Sequence, residues 1–238
     1  LEHRSENELE LDEMNKDIGQ FGLNLNIKYW NQPIVFNFQI NKSHVFIGKT
    51  ASGKSFVLTQ IAETLKMNNQ SISYVAQDPY LYNDTVSNNL FLGKDFTEND
   101  KKFASELLTI FGLDFLANNA ENLLDMEVGE NGKRVSGGQA KRIALVKSLL
   151  SGADILIWDD PFSSVDIILE KKIIQTLIDK NIFNTKTIIL CSHRLTTVRF
   201  CDQILFLEKE SGIIEEGDRE PLLLAGTKTY EYFEDQMV

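Results

Sequence analysis

The chain has 238 residues, 42% of them hydrophobic, and a formal net charge of -11 from 35 Asp and Glu against 24 Lys and Arg. Such a length can bury roughly 70–75% of the unfolded surface, which sets one large domain or two small ones. The acidity excludes a broad nucleic-acid or anionic-lipid surface, so a phosphate ligand has to be held locally.

No stretch approaches about 18 uninterrupted apolar residues, and the acidic N-terminus lacks the basic and then apolar run of a signal peptide. The segment itself is therefore expected neither to span a membrane nor to be exported. Residues 1–20 carry Glu2, Glu6, Glu8, Glu10, Asp12 and Glu13 among few apolar residues, the composition of a solvated linker from an upstream region. From Leu23 the pattern alternates through Leu25, Ile27 and Tyr29, and again from Val35 to Ile40, predicting half-buried strands and a β-rich opening. Ser43 to Ile47 predicts a short apolar strand, and Val57, Leu58, Ile61, Ala62 and Leu65 share one face of a following helix.

Between that strand and helix, Gly48-Lys49-Thr50-Ala51-Ser52-Gly53-Lys54-Ser55 fits G-x-x-x-x-G-K-[ST], with Phe56 next in line. The glycines let the backbone curl so that N–H groups point inward, and the helix N-terminus adds positive partial charge. Lys54 is placed to reach the β and γ phosphates, and Ser55 to ligate Mg²⁺.

Residues 85–150 lose β character. Thr97 and Asp100 predict a capping box, and Phe103, Leu107, Ile110 and Phe111 recur at helical spacing, so this block reads as mostly helical. Within it Val135-Ser136-Gly137-Gly138-Gln139 opens a helix, and the N–H groups of Ser136, Gly137 and Gly138 with the helix dipole make a second anion site. Ile155–Trp158, Thr187–Cys191 and Gln203–Leu207 then read as short apolar strands separated by helical runs such as Ile167–Ile178. That alternation is the mark of an α/β fold with a parallel sheet covered by helices. Asp159, ending the first of these strands, suits a carboxylate that holds Mg²⁺ through water. Cys191, on a buried strand, and Cys201, on the helix after it, have no metal-ligand spacing and read as small core residues in a reducing compartment.

The phosphate loop, the Ser136–Gln139 segment and the Asp159-Asp160 strand end occur in the order and at the spacing of the ABC ATPases, which the chain resembles over about residues 23–235. Gln77 after a strand is similar to that family's Q-loop, Ser163-Ser164-Val165-Asp166 to its D-loop, and His193 to its H-loop. Gly217 to Leu223 resembles its closing segment. Tyr29 resembles the aromatic that stacks on adenine, with Trp30 as the rival and a core aromatic as the third reading.

The resemblance implies a P-loop NTPase core over 21–238, with an N-terminal antiparallel β subdomain and a helical subdomain inserted at about 85–150. It implies ATP and Mg²⁺ as ligands. Gln77 would touch Mg²⁺ and the attacking water, Asp160 would take the place of the catalytic carboxylate, and His193 would contact the γ-phosphate. It also implies a head-to-tail dimer in which Ser136, Gly137, Gly138 and Gln139 cover the partner's ATP, with Asp166 in the adjoining D-loop.

Glu127-Val128-Gly129-Glu130-Asn131-Gly132 and Asp84 to Leu90 resemble segments of exporter-type domains that adjoin the transmembrane half. Transmembrane domains and a second nucleotide-binding domain, identical or different, are the implied partners, at the cytoplasmic face of a membrane; no nucleic acid is expected. The residue after Asp159 is usually glutamate in this family, and here it is Asp160, one methylene shorter. The Asp-Asp pair resembles the first such domain of multidrug-resistance-associated proteins and the weaker half of heterodimeric bacterial exporters, which implies a slowly hydrolysing site. Ala51 stands where exporters usually carry glycine. A regulatory module with little turnover and a soluble ABC ATPase remain alternatives.

Overall fold

The computed structural model describes residues 18–19, 22–29, 32–116, 123–129 and 135–237. Two sheets enclose the helix that carries the phosphate loop. In the first, β1 (Ile18–Gly19), β2 (Gly22–Tyr29) and β3 (Gln32–Gln39) run antiparallel, Leu25 opposite Phe36 and Ile27 opposite Ile34. The sheet thus begins inside the stretch read as a linker, whose residues 1–17 and 20 lie outside the described residues. Alternation places Leu25, Ile27, Tyr29, Phe36 and Phe38 on the buried face, while Val35 is 53% exposed.

The second sheet has the order β5-β6-β7-β4-β8-β9, built from β4 (Ser43–Ile47), β5 (Ile72–Val75), β6 (Ile155–Asp159), β7 (Thr187–Cys191), β8 (Gln203–Glu208) and β9 (Gly212–Asp218). Its first five strands are parallel and only β9 is antiparallel to its neighbour. The centre strands β4, β6 and β7 are buried at every residue, as parallel strands covered on both faces are. Helix α1 (Lys54–Met67) turns Val57, Leu58, Ile61 and Leu65 into the cluster that joins the two sheets.

On the other face a larger cluster takes in α2 (Val86–Phe91), α3 (Glu98–Ile110), α4 (Gly137–Leu150) and α5 (Ile167–Asp179). The capping box at Thr97 and Asp100 is formed, and an identical device, Ser136 with Gln139, starts α4. Glu130 to Gly132, part of the exporter-like segment, lie outside the described residues. Cys191 ends β7, but Cys201 follows α7 (Leu195–Val198, with α6 at Ile182–Thr185 before it) instead of lying on it. The N–H groups of Phe200 and Cys201 bond back three residues to Thr197 and Val198, a tight turn that ends the helix and feeds β8. Among the described residues no helix is long and apolar enough to cross a membrane.

Candidate functional site

Parallel strands place their C-terminal ends along one edge of the sheet, and there the ends of β4, β6 and β7 meet. A pocket of about 320 Å³ opens at that edge, lined by the phosphate loop, Gln77, Asp159, Asp160, His193 and Tyr232 among others. The loop's shape demands its glycines. A Cβ on Gly48, at φ +146°, would lie 2.2 Å from the Leu207 carbonyl oxygen, and Gly53 sits at φ +91° with the Tyr29 ring 3.0 Å from its missing Cβ. Ala51 also adopts a left-handed φ of 63°, a conformation costing a non-glycine residue roughly 1 kcal/mol. Ser52 N–H closes an inner turn on Lys49, whereas the N–H groups of Ala51, Gly53, Lys54 and Ser55 find no acceptor in the chain among the described residues. Those free donors at the first turn of a 14-residue helix form an anion cradle.

Lys54 folds over the loop, its Nζ donating to the Gly48 carbonyl at 2.7 Å and the Lys49 carbonyl at 3.0 Å. Burial lowers its pKa, with Cys191, Asp160 and Asp159 pulling the other way. Thr50, Ala51, Gly53, Ser55 and Phe56 line the pocket, but Lys49 and Ser52 do not; Ser52 is buried beneath the loop.

Tyr29 is a correction. Its ring is fully buried under Gly53 and its hydroxyl donates to the Ser52 carbonyl, with the Glu208 carbonyl at 3.2 Å. A ring so enclosed offers no face to adenine; it props the loop from below, which is the core-aromatic reading. Trp30 lies outside the described residues.

At the end of β6, Asp159 is 3% exposed, and Oδ1 accepts from the Cys191 thiol at 2.8 Å. Oδ2 has no partner among the described residues and is not sealed from solvent. Asp160 follows at a left-handed φ of 46°, which Asp tolerates better than most residues. Its carboxylate lies 3.4 Å from His193 Nδ1. Burial raises the Asp160 pKa, opposed by His193 and Lys141. Beneath both aspartates, Lys141 of α4 is 2% exposed and donates to the carbonyls of Gln77 and Asp159. Burial lowers its pKa, with Asp159 and Asp160 opposing. One buried ammonium thus pins the Gln77 loop to the strand end. Cys191, also in the lining, is a buried thiol whose pKa is raised by desolvation and by Asp159.

Other motif residues stand apart from this pocket. Asp166 caps α5, its Oδ1 accepting from Ile168 and Leu169 N–H. Ser136, Gly137, Gly138 and Gln139 open α4 and do not line the pocket. Ser136 and Gln139 spend their side chains on capping each other, leaving the Gly137 and Gly138 N–H groups without an acceptor among the described residues. A Cβ on Gly138 would press on Ser164 at 3.0 Å, whereas Gly137 has nothing within 4 Å.

Arg194, next to His193, joins that loop to the segment 163–166. It donates to the Val165 and Ser163 carbonyls and to the fully buried Glu170, at 2.6, 3.0 and 2.7 Å. Lys141, Cys191, Ser192, Arg194 and Tyr232 all escape the motif reading.

The family model described as ABC transporter matches residues 32–163. A putative export ATP-binding/permease protein of Rickettsia conorii is 28% identical over 84% of this chain and 38% of its own length. An ATP-dependent lipid A-core flippase of Aliivibrio fischeri is 31% identical over 80% of this chain and 35% of its own. ABC transporter B family member 13 of Arabidopsis thaliana is 29% identical over 82% of this chain and 17% of its own. Among solved structures, a bacterial Atm1-family ABC exporter with ATP bound superposes with a TM-score of 0.75 at 23% identity, over 92% of this chain and 41% of that one. The chain therefore spans well under half the length of these relatives.

Proposed function

The chain belongs to the ABC transporter family, and from that premise we propose that it is the ATP-binding and hydrolysing domain of an exporter, working opposite a second such domain and coupled to transmembrane domains at a membrane's cytoplasmic face. The observation that carries the reading is the cradle of free N–H groups around Gly48–Ser55, facing Asp159 across a pocket that also holds Lys54. A triphosphate tail would accept from those N–H groups while Lys54 leaves the Gly48 and Lys49 carbonyls for the β and γ phosphates.

The pocket's oxygen donors fit a hard divalent cation: the Ser55 hydroxyl, the Gln77 amide and the Asp159 Oδ2 that no group among the described residues uses. Ser55 and Gln77 would hold Mg²⁺ directly and Asp159 through water, and the ion would supply neutralisation of phosphate charge. Asp160 and His193 face the place where the γ-phosphate would lie. Because the Asp160 carboxylate is one methylene short and drawn toward His193, we assign this chain's own site slow hydrolysis.

The separate Gly137–Gly138 amides support a head-to-tail pair. Nothing in the described chain crowds Gly137, the first residue of α4. Its small size is explained by a ligand approaching from outside, the partner's ATP. Fold and pocket together also support one domain whose first sheet starts at Ile18, ahead of the expected limit of 21, with helices inserted at about 85–150.

Calorimetric titration tests the reading. The wild-type protein should bind MgATP, and Lys54→Ala should abolish measurable binding, because the phosphates lose their charge-assisted donor. Equal affinity in the two proteins would remove the basis of the assignment.

A further inference from the structure

The C-terminal segment reaches the site at two points. Helix α9 (Lys228–Phe233; α8 is Arg219–Leu222) continues into a single 3-10 turn, Glu234–Gln236. This stretch is firmly anchored: Phe233 is fully buried, and the Glu215 carboxylate of β9 accepts from the N–H groups of Lys228 and Thr229 at 3.1 and 2.7 Å. The Tyr232 ring packs edge-on against Phe206 and Phe233, with centroids 5.2 and 4.7 Å away.

From this platform the Tyr232 hydroxyl donates to the Gly48 carbonyl at 3.0 Å. Four residues on, Gln236 holds the His193 loop on both sides. Its Nε2 donates to the His193 carbonyl at 3.2 Å, and its Oε1 accepts from Leu195 N–H at 2.9 Å. The two grips fall on the first glycine of the phosphate loop and on the backbone that aims the 56%-exposed His193 side chain.

We propose that Tyr232 and Gln236 form a clip on the phosphate loop and the His193 loop, making Tyr232 a positioning residue for nucleotide binding and Gln236 one for turnover. The proposal rests on the ATP reading above. Its logic lies in the shared acceptor: the Gly48 carbonyl takes hydrogen bonds from both Lys54 and Tyr232. When Lys54 swings to the phosphates, Tyr232 keeps that carbonyl satisfied, so the swing does not leave an orphaned polar group. Gln236 has the complementary task. It is exposed, yet it spends both ends of its amide on one loop, fixing where His193 sits without touching the ligand.

The test uses the complete protein with its partner, in an Asp160→Glu background that lifts the slow step. Tyr232→Phe keeps the packed ring and Gln236→Ala alters an exposed side chain, so melting should show both folded. Tyr232→Phe should weaken MgATP binding about three- to tenfold, the value of one hydrogen bond, with kcat within about twofold. Gln236→Ala should lower kcat about three- to tenfold with MgATP affinity within about twofold, and Gln236→Glu, which keeps the acceptor for Leu195 but sets a carboxylate oxygen against the His193 carbonyl, should not recover the loss. If both variants shift affinity and kcat together, or match the parent in both, the clip is wrong while the ATP reading stands. No binding heat from the parent overturns the ATP reading and the clip with it.

Discussion

Restoring the missing methylene, Asp160→Glu, puts the slow-site assignment at risk. The added C–C bond carries the carboxylate about 1.5 Å further from the backbone, away from a position 3.4 Å from His193 Nδ1 and into the pocket. A misplacement of about 1 Å costs on the order of 10²-fold, and general-base assistance as a whole is worth about 10²–10⁴. The expected gain in kcat is therefore roughly 10- to 100-fold, with the KM for ATP within about threefold because no phosphate-binding group changes. A cost travels with it. Residue 160 sits at φ 46°, where Glu is less at ease than Asp, so a small loss of stability, up to about 1 kcal/mol, should accompany the gain. Phosphate release is measured with the complete protein paired with a partner whose own site has been inactivated, which leaves this site as the source of turnover. Unchanged kcat in a protein that still binds MgATP would refute the argument from carboxylate reach.

Three further substitutions probe the scaffold. Gly48→Ala drives a methyl to 2.2 Å from the Leu207 carbonyl at a φ closed to alanine, so MgATP binding should be lost and urea stability should fall by at least 2 kcal/mol; wild-type binding would contradict the loop geometry. Lys141→Met leaves the Gln77 and Asp159 carbonyls without their donor and strips a counter-charge from two aspartates, an expected loss of about 2–4 kcal/mol by denaturant titration. Asp202 addresses pH. Burial pushes its pKa up, but hydrogen bonds from Ser43 and Lys42 outweigh this and hold it below the ordinary 3.8. A carboxyl lowered by folding stabilises above its unfolded pKa and loses that contribution as pH falls through the folded value. The melting-temperature gap between wild type and Asp202→Asn should thus be widest near neutrality and close below about pH 4.

How much of this was legible in advance follows from the range of each interaction. The phosphate loop, the capping boxes at Thr97 and Ser136, and the apolar runs of β6 and β7 are written in contiguous residues, so local pattern suffices to place them. Tyr29 shows where local pattern fails. It continues the inward phase of Leu25 and Ile27, and alternation cannot tell an aromatic at a strand end that meets a base from one that meets the underside of a loop. Lys141 reads as an ordinary polar position on a helix with a weak apolar face, and only packing of α4 against the strand ends shows it buried. Tyr232 bonds to a residue 184 positions away and Gln236 to one 43 away, separations at which no periodicity carries a signal.

The charges lining the pocket decide what kind of triphosphate it can accept. Among the described lining residues Lys54 is positive and Asp159 and Asp160 are negative, so the charged walls are net negative and disfavour a bare polyphosphate. Lys141 lies behind the aspartates and is already spent on two carbonyls. The loop amides favour an anion, but a magnesium-loaded nucleotide halves the charge to be accommodated and turns the aspartates from a liability into partners. Substituting Asp159→Asn separates the two effects by sign. Removing one negative charge from the wall, at an effective dielectric of about 20, relieves on the order of 2 kcal/mol of repulsion with a unit of phosphate charge. ATP with excess chelator should then bind up to about thirtyfold more tightly to the variant, while ATP with magnesium binds more weakly. Calorimetry under the two conditions reads both signs in one protein. A variant that binds both forms more tightly would show Asp159 to be only a repulsive wall, and the magnesium assignment to Ser55, Gln77 and Asp159 would fall with it.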